Sequence, residues 1–260
     1  MSNSDLPLLE RFTLFFDFLG SSLAASWPAE RLYPFLDLLI SIAAQMQTAQ
    51  DIDGSPQEDG SYRIRITPEV TVFSDNIVVS YPSIEDEDAI PHDVPAHLRF
   101  DAHWAKFMCQ DAIRIVSGVA EMGLRIGVLI RGGYSFGQLY HENGVVFGEA
   151  MVDAYQLESK QAIYPRVLVS DRIIERLKGI PDADRDFFLQ DTDGRWHLNY
   201  FSAMLKHSSD GPIDDEQAKR WKRAHLDTIN AGIAANDGRV AEKWSWFKSQ
   251  FERATADIKE

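Results

Sequence analysis

Apolar positions along this chain fall into short blocks and helical stripes. The first block, residues 11–19 (RFTLFFDFL), is rich in aromatics and stopped by Gly20-Ser21-Ser22, which predicts a buried strand. In residues 28–47, Leu32, Phe35, Leu36, Leu39, Ile42, Ala43 and Met46 recur at helical spacing, and Pro28 suits the first turn. The polar, acidic stretch 51–60 predicts a loop. Two runs rich in β-branched residues, SYRIRIT and EVTVFSDNIVVSY, meet around Thr67-Pro68 and predict strands. After an acidic, proline-flanked loop at 83–94, residues 98–123 predict a long helix closed by Gly123. Strands are expected over 124–130 and 134–141, separated by Arg131-Gly132-Gly133. A helix start at 148–159, a strand at 166–169, a helix at 171–177 and a hairpin over 187–200 turning at Asp193-Gly194 follow. Beyond Lys206 the pattern predicts two helices, 212–235 and 239–258, with Val240, Trp244, Phe247, Phe251 and Ile258 on one stripe.

Interleaved strands and helices argue for an α/β or α+β fold: a main domain over 1–205 and a C-terminal helical hairpin over 206–260. Composition agrees with a folded chain, at 45% hydrophobic and 25% charged residues. The longest apolar stretch, 35–44, is about half of the roughly twenty residues a bilayer needs, so no membrane span is expected. The opening MSNSDLPLLER does not read as a signal peptide, and a single cysteine, Cys109, excludes an intrachain disulfide and a multi-thiolate zinc site. Both features suit a reducing cytoplasm. With 40 acidic and 26 basic residues the formal charge is −14, which argues against nucleic-acid binding. A polyphosphate substrate would be repelled too, unless metal ions neutralise the site.

Two carboxylates break the apolar pattern. Asp17 sits among Leu14, Phe15, Phe16, Phe18 and Leu19, and Asp75 interrupts two apolar runs at Ser74-Asp75-Asn76. A buried isolated carboxylate is costly, so backbone N–H groups, an arginine or a metal must offset Asp17. Ser-Asp-Asn is also ordinary turn chemistry, and a hairpin tip can present a ligand. Two such aspartates make a site for a hard divalent cation, Mg²⁺ or Mn²⁺.

The segments around these residues, Phe15-Phe16-Asp17-Phe18-Leu19-Gly20-Ser21-Ser22 and Phe73-Ser74-Asp75-Asn76-Ile77, resemble the two metal-aspartate strands of class III nucleotidyl cyclases. Leu124-Arg125-Ile126-Gly127-Val128 resembles the next strand of that family, and the run from Val146 to Ser159 resembles its strand-end glycine and following helix. The match covers roughly residues 10–200 in order. Arg131-Gly132-Gly133-Tyr134-Ser135-Phe136-Gly137, the Gly148 to Glu158 run and Tyr164-Pro165-Arg166-Val167 narrow the resemblance to the pyrimidine cyclases of Pycsar antiphage systems. The resemblance implies a βαββαβ core, two divalent ions (Mn²⁺ or Mg²⁺), a head-to-tail homodimer with interface active sites, and conversion of UTP to cyclic UMP and pyrophosphate. It also implies a separate effector protein that responds to the product.

By resemblance, Asp17, Asp75 and the Phe18 carbonyl bind metal. Gly20 and Ser21 offer N–H groups to phosphate. Departures from the family are informative. Thr71 and Val145 stand where purine cyclases carry base-reading residues, Ser74 replaces a glycine, and Val152 and Gln156 replace the transition-state Asn and Arg. Some other cation must match the developing charge. Arg131 and Arg195 are the catalytic candidates, with Arg166 as a nucleotide ligand and Tyr62 as a stacking partner for the pyrimidine. Each also has a plainer reading: ion pair, hairpin tip or packed strand aromatic. Other possibilities stay open: a cytidylate cyclase, a purine cyclase with an unusual pocket, and a cyclase-like domain that senses nucleotide without turnover. Trp221, Trp244 and Trp246 are expected to dock the tail on the main domain or on a second protomer.

Overall fold

Alternation along the first apolar run assigns the two faces of the sheet. In the computed structural model, which describes residues 8–20, 24, 26–46, 50–52, 64–81, 101–178, 187–207 and 213–259, this run is strand β1 (Leu9–Leu19). Leu14, Phe16 and Phe18 point into the main core, where α1 (Ala29–Met46) adds Phe35, Leu38 and Ile42 and α2 (Asp101–Arg125) adds Met108, Ala112 and Val116. Phe15 points to the other face, against Val78 and Ala154. Strict period-two alternation therefore puts Asp17 on that second face with Phe15, away from the core.

β1 is flanked on both sides by antiparallel partners. On one side lies β5 (Asn76–Ser80), which pairs in turn with β4 (Glu69–Phe73). On the other lies the long β6 (Leu129–Glu142). β2 (Gln50–Ile52) and β3 (Ile64–Ile66) form a separate antiparallel ribbon. β7 (Val145–Gly148) returns on β6 through Asn143 and Gly144, both at positive φ (52° and 76°), the backbone a two-residue hairpin turn requires. Next come α3 (Glu149–Gln156), a π turn (Leu157–Gln161), β8 (Val167–Val169) and α4 (Asp171–Arg176). β9 (Phe188–Gln190) and β10 (Trp196–Leu198) pair antiparallel. The sheet order is β4-β5-β1-β6-β8-β10-β9, with β7 on β6. The β6–β8 pairing is parallel, so the fold is mixed α/β with a mixed sheet.

Three expectations need correction here. The long helix does not stop at Gly123 but runs on to Arg125. It is closed by Gly127, at φ 70°, with Val128 N donating to Gly123 O and Gly127 N to Leu124 O, a Schellman ending. Residues 124–128 are thus helix end and turn, and the strand starts at Leu129. Nor do Arg131-Gly132-Gly133 separate two strands, since β6 runs through them unbroken. The glycines serve close approach instead. A Cβ on Gly132 would stand 2.5 Å from Phe15 O, and one on Gly133 would collide with Ala154 O and stand 2.7 Å from Leu157 Cβ. Helix α3 therefore lies directly on the backbone of β6, where Ser135 Oγ donates to Ala150 O at 2.6 Å. Gly133→Ala is expected to cost about 3 kcal/mol of stability by overpacking, checked by urea denaturation. A loss below about 1 kcal/mol would show that α3 can lift off the sheet freely.

The tail begins with a capping box, in which Asp214 Oδ1 accepts from Gln217 N at 2.7 Å and Gln217 Oε1 accepts from Asp214 N at 2.9 Å. It opens α5 (Asp215–Ala234), followed by α6 (Gly238–Ala254). Trp221, Ile229, Trp244, Phe247 and Phe251 share one buried cluster with the sheet and α2 of the same chain. Trp246 stacks on Tyr164, ring centres 5.5 Å apart, and its Nε1 donates to Asp191 Oδ2 at 3.1 Å. Among the described residues no helix is long and apolar enough to cross a membrane.

Candidate active site at the end of the central strands

Asp17 lies two residues from the end of β1, and the strand register sets its neighbours. Arg131 of β6 is directly opposite on one side and Asn76 of β5 on the other. Asp75 occupies the β4–β5 turn, where Asn76 Nδ2 donates to its Oδ1 at 3.1 Å and Ser74 takes a positive φ of 58°. Arg131 reaches across β1: its Nε donates to Asp17 Oδ1 at 3.2 Å and its Nη2 to Oδ2 at 3.3 Å. These are long for a charge-assisted pair. The guanidinium has a second claimant, because the same Nε lies 2.6 Å from Oε1 of Glu158.

Glu158 was not singled out in the sequence. It sits in the π turn after α3, with its side chain 4% exposed. The i→i+5 bond from Ala162 N to Leu157 O, 2.8 Å, turns the chain there. Glu158 Oε1 is buried with no aligned hydrogen bond. Burial, then the charge of Asp17, push the Glu158 carboxyl up to about 7; Arg131 opposes them, and hydrogen bonding to Asp17 and the charge of Asp75 add to the rise. Arg131 stays charged: burial works against it, but Asp17 and Glu158 hold its pKa above the ordinary value. On α6, Lys243 also faces the cluster; burial, then Arg131, lower its ammonium, while Asp17 opposes.

The sign of the Glu158 effect gives a pH test. Its folded pKa is raised above the ordinary carboxyl value of 4.5, so the stabilisation is full below that value and is lost as pH rises through about 7. In metal-free buffer, Glu158→Gln is expected to gain up to about 3 kcal/mol relative to wild type between pH 4.5 and 7.5, read from urea midpoints. A constant difference across that range would contradict a proton held on Glu158.

The other sequence candidates are scattered. The Phe18 side chain packs edge-on against Phe35 in the core, 5.2 Å between ring centres, so its backbone alone can serve the site face. Gly20 ends β1 at φ 88°. Ser21 and Tyr62 lie outside the described residues. Arg166 is fully buried, with Nη1 2.5 Å from Asp191 Oδ2 and Nη2 on Asp193. Arg195 bonds Gln161 and lies 3.7 Å from Asp193. It lines a separate cavity of about 360 Å³ with Asp153, Gln156 and Trp196. Val152 and Val145 are exposed. Thr71 Oγ1 is 2.9 Å from His141 Nε2, and His141 Nδ1 is 2.8 Å from Ser80 Oγ. Burial, then Arg11, hold His141 down at about 4, so this relay is neutral.

The oxygens available as donors at the strand ends are the carboxylates of Asp17 and Asp75 and the Phe18 carbonyl, while Glu158 Oε1 lies 2.6 Å from Arg131 Nε. That chemistry fits a hard divalent ion, which takes one or two carboxylates and leaves positions for water and phosphate. Among the described residues no group of three or more His, Cys, Asp or Glu is arranged to enclose a metal. A divalent ion there would be held by two carboxylates, with its remaining positions left to water and substrate oxygens.

No family model matches this chain, and no curated protein does. Two solved structures of bacterial light-regulated adenylyl cyclases match at a TM-score of 0.37 each. One is 13% identical over 75% of this chain and 52% of its own length; the other is 11% identical over 87% and 58%. The chain thus spans little more than half the length of either.

Proposed function

We propose that the chain is a metal-dependent pyrimidine nucleotide cyclase that converts UTP to 3′,5′-cyclic UMP and pyrophosphate. The observation that carries this reading is the placement of Asp17 and Asp75 together at one end of the central strands, with their charges felt by one buried carboxyl. The strand order β4-β5-β1-β6, with α1 and α2 as the crossings, supports it, because that is the order of a βαββαβ core.

In the reaction the 3′-oxygen bonds to the α-phosphorus, the bond from that phosphorus to the bridging oxygen breaks, and the hydroxyl proton leaves to solvent or a base. Mn²⁺ or Mg²⁺ bound by Asp17, Asp75 and the Phe18 carbonyl would neutralise phosphate charge and lower the hydroxyl pKa. The Arg131 guanidinium, held at Asp17 and Glu158, supplies positive charge beside the reacting phosphate. Glu158 limits how far Arg131 can follow Asp17. Gln156 and Arg195 line a cavity whose lining does not include the aspartates, which leaves room in this reading for a site shared between two protomers. Exposed Val152 and Tyr155 on α3 and Val145 and Phe147 on β7 give such a dimer an apolar face. The proposed setting is cytoplasmic antiphage signalling, with the product acting on a separate effector.

A second reading has its own observation. Arg131 already occupies Asp17, and Val152 and Gln156 lack the usual chemistry, which suits a nucleotide sensor without turnover. UTP with Mn²⁺ separates the two. The cyclase reading expects cyclic UMP and pyrophosphate in equal amounts, abolished by EDTA. UTP binding with no product would favour the sensor.

A further inference from the structure

A second cavity lies where the tail meets the sheet. It encloses about 580 Å³ between the end of β1, the start of α1 and the α5–α6 pair, a size that suits a small organic ligand. Its walls include the indoles of Trp27 and Trp244 and the side chains of Leu19 and Leu129. Among the described residues the ionisable ones lining it are Arg31 and Lys243, and no described carboxylate joins them. This stands out in a chain with 40 acidic and 26 basic residues.

Both cations are placed by the fold. The Arg31 guanidinium lies over the Trp27 ring, 3.9 Å from its centre. Lys243 is carried on α6, one residue before Trp244. Trp244 is held by close packing on α5, since a Cβ on Gly232 would stand 2.5 Å from the ring. An apolar, aromatic wall beside two cations recognises a flat apolar body carrying an acidic group.

We propose that this cavity binds a small amphipathic anion, an aromatic or alicyclic body with one carboxylate, sulfonate or phosphate held by Arg31 and Lys243. The cavity borders the candidate active site, since Gly20 lines it and Lys243 also faces Asp17 and Arg131, but the proposal does not depend on the cyclase reading. Lys243 is also within electrostatic reach of Asp17 and Arg131, so a bound anion lowers the positive potential beside that pair.

Anilinonaphthalene sulfonate, with its fluorescence read on the full-length native chain, tests the site. Saturable binding is expected, with uncharged anilinonaphthalene at least about tenfold weaker. Lys243→Met and Arg31→Met should each weaken the sulfonate by about tenfold, and Ala235→Trp, which fills the cavity, should abolish binding. Circular dichroism confirms the fold of each variant, and Arg31, on the exposed start of α1, is the substitution least able to disturb it. Equal binding by Arg31→Met and wild type would overturn the proposal. So would displacement of the sulfonate by UTP with Mn²⁺, which would make the cavity the phosphate end of the active site.

Discussion

Asp17→Asn is expected to lower the turnover of UTP by at least about a thousandfold while the protein stays folded. The substitution keeps size and shape but removes the charge that the proposed metal would require. Stability should change little, for three reasons. Arg131 keeps its 2.6 Å approach to Glu158, so no guanidinium is stranded. Asp17 is also 18% exposed, so an amide there keeps some water. Loss of the Asp17 charge relieves Glu158 as well, whose raised carboxyl owes much to that neighbour. Initial rates give the kinetic effect and thermal melts the structural one. Turnover within about tenfold of wild type would remove Asp17 from the chemistry, and a collapsed fold would make it a structural residue.

Arg166→Met is expected to act in the opposite way, through stability. Arg166 is fully buried and holds Asp191 and Asp193. Asp191 also accepts from Trp246 Nε1, so this cluster ties the β9–β10 turn to α6. Removing the guanidinium leaves Asp191, 10% exposed, without its cation, while Asp193, 39% exposed, rehydrates. Breaking one side of such a buried pair costs about 3 kcal/mol or more. Asp191→Asn in the Arg166→Met background should recover part of the loss, because it removes the stranded charge. Urea denaturation measures both. A loss under about 1 kcal/mol would show that Arg166 is dispensable to the fold.

Asp17 and Asp75 stand out in the sequence as charges within aromatic and β-branched runs, and the structure gives each a local partner, Arg131 for Asp17 and Asn76 for Asp75. The β4–β5 turn and the hairpin at Asp193-Gly194 were legible from local turn chemistry. Other features depended on contacts that local pattern does not carry. Gly123 and Gly127 both suit a helix end, and it is the approach of Val128 to Gly123 O that selects the later one. The glycines at 132 and 133 read as a break, although they admit β1 and α3 to the backbone of β6. The partners of Arg166, Asp191 and Asp193, arrive from another hairpin, so its ion pairs could not be read locally. Glu158 escaped because the π turn shifts the helix register, so a period of 3.6 residues does not point it at Arg131.

Product analysis after separate incubations with ATP, GTP, CTP and UTP, each with Mn²⁺, bears hardest on the proposed chemistry. The proposed function predicts one cyclic pyrimidine nucleotide, cyclic UMP, released with pyrophosphate and lost in Asp17→Asn. No cyclic product from any triphosphate, with the protein folded, would contradict it.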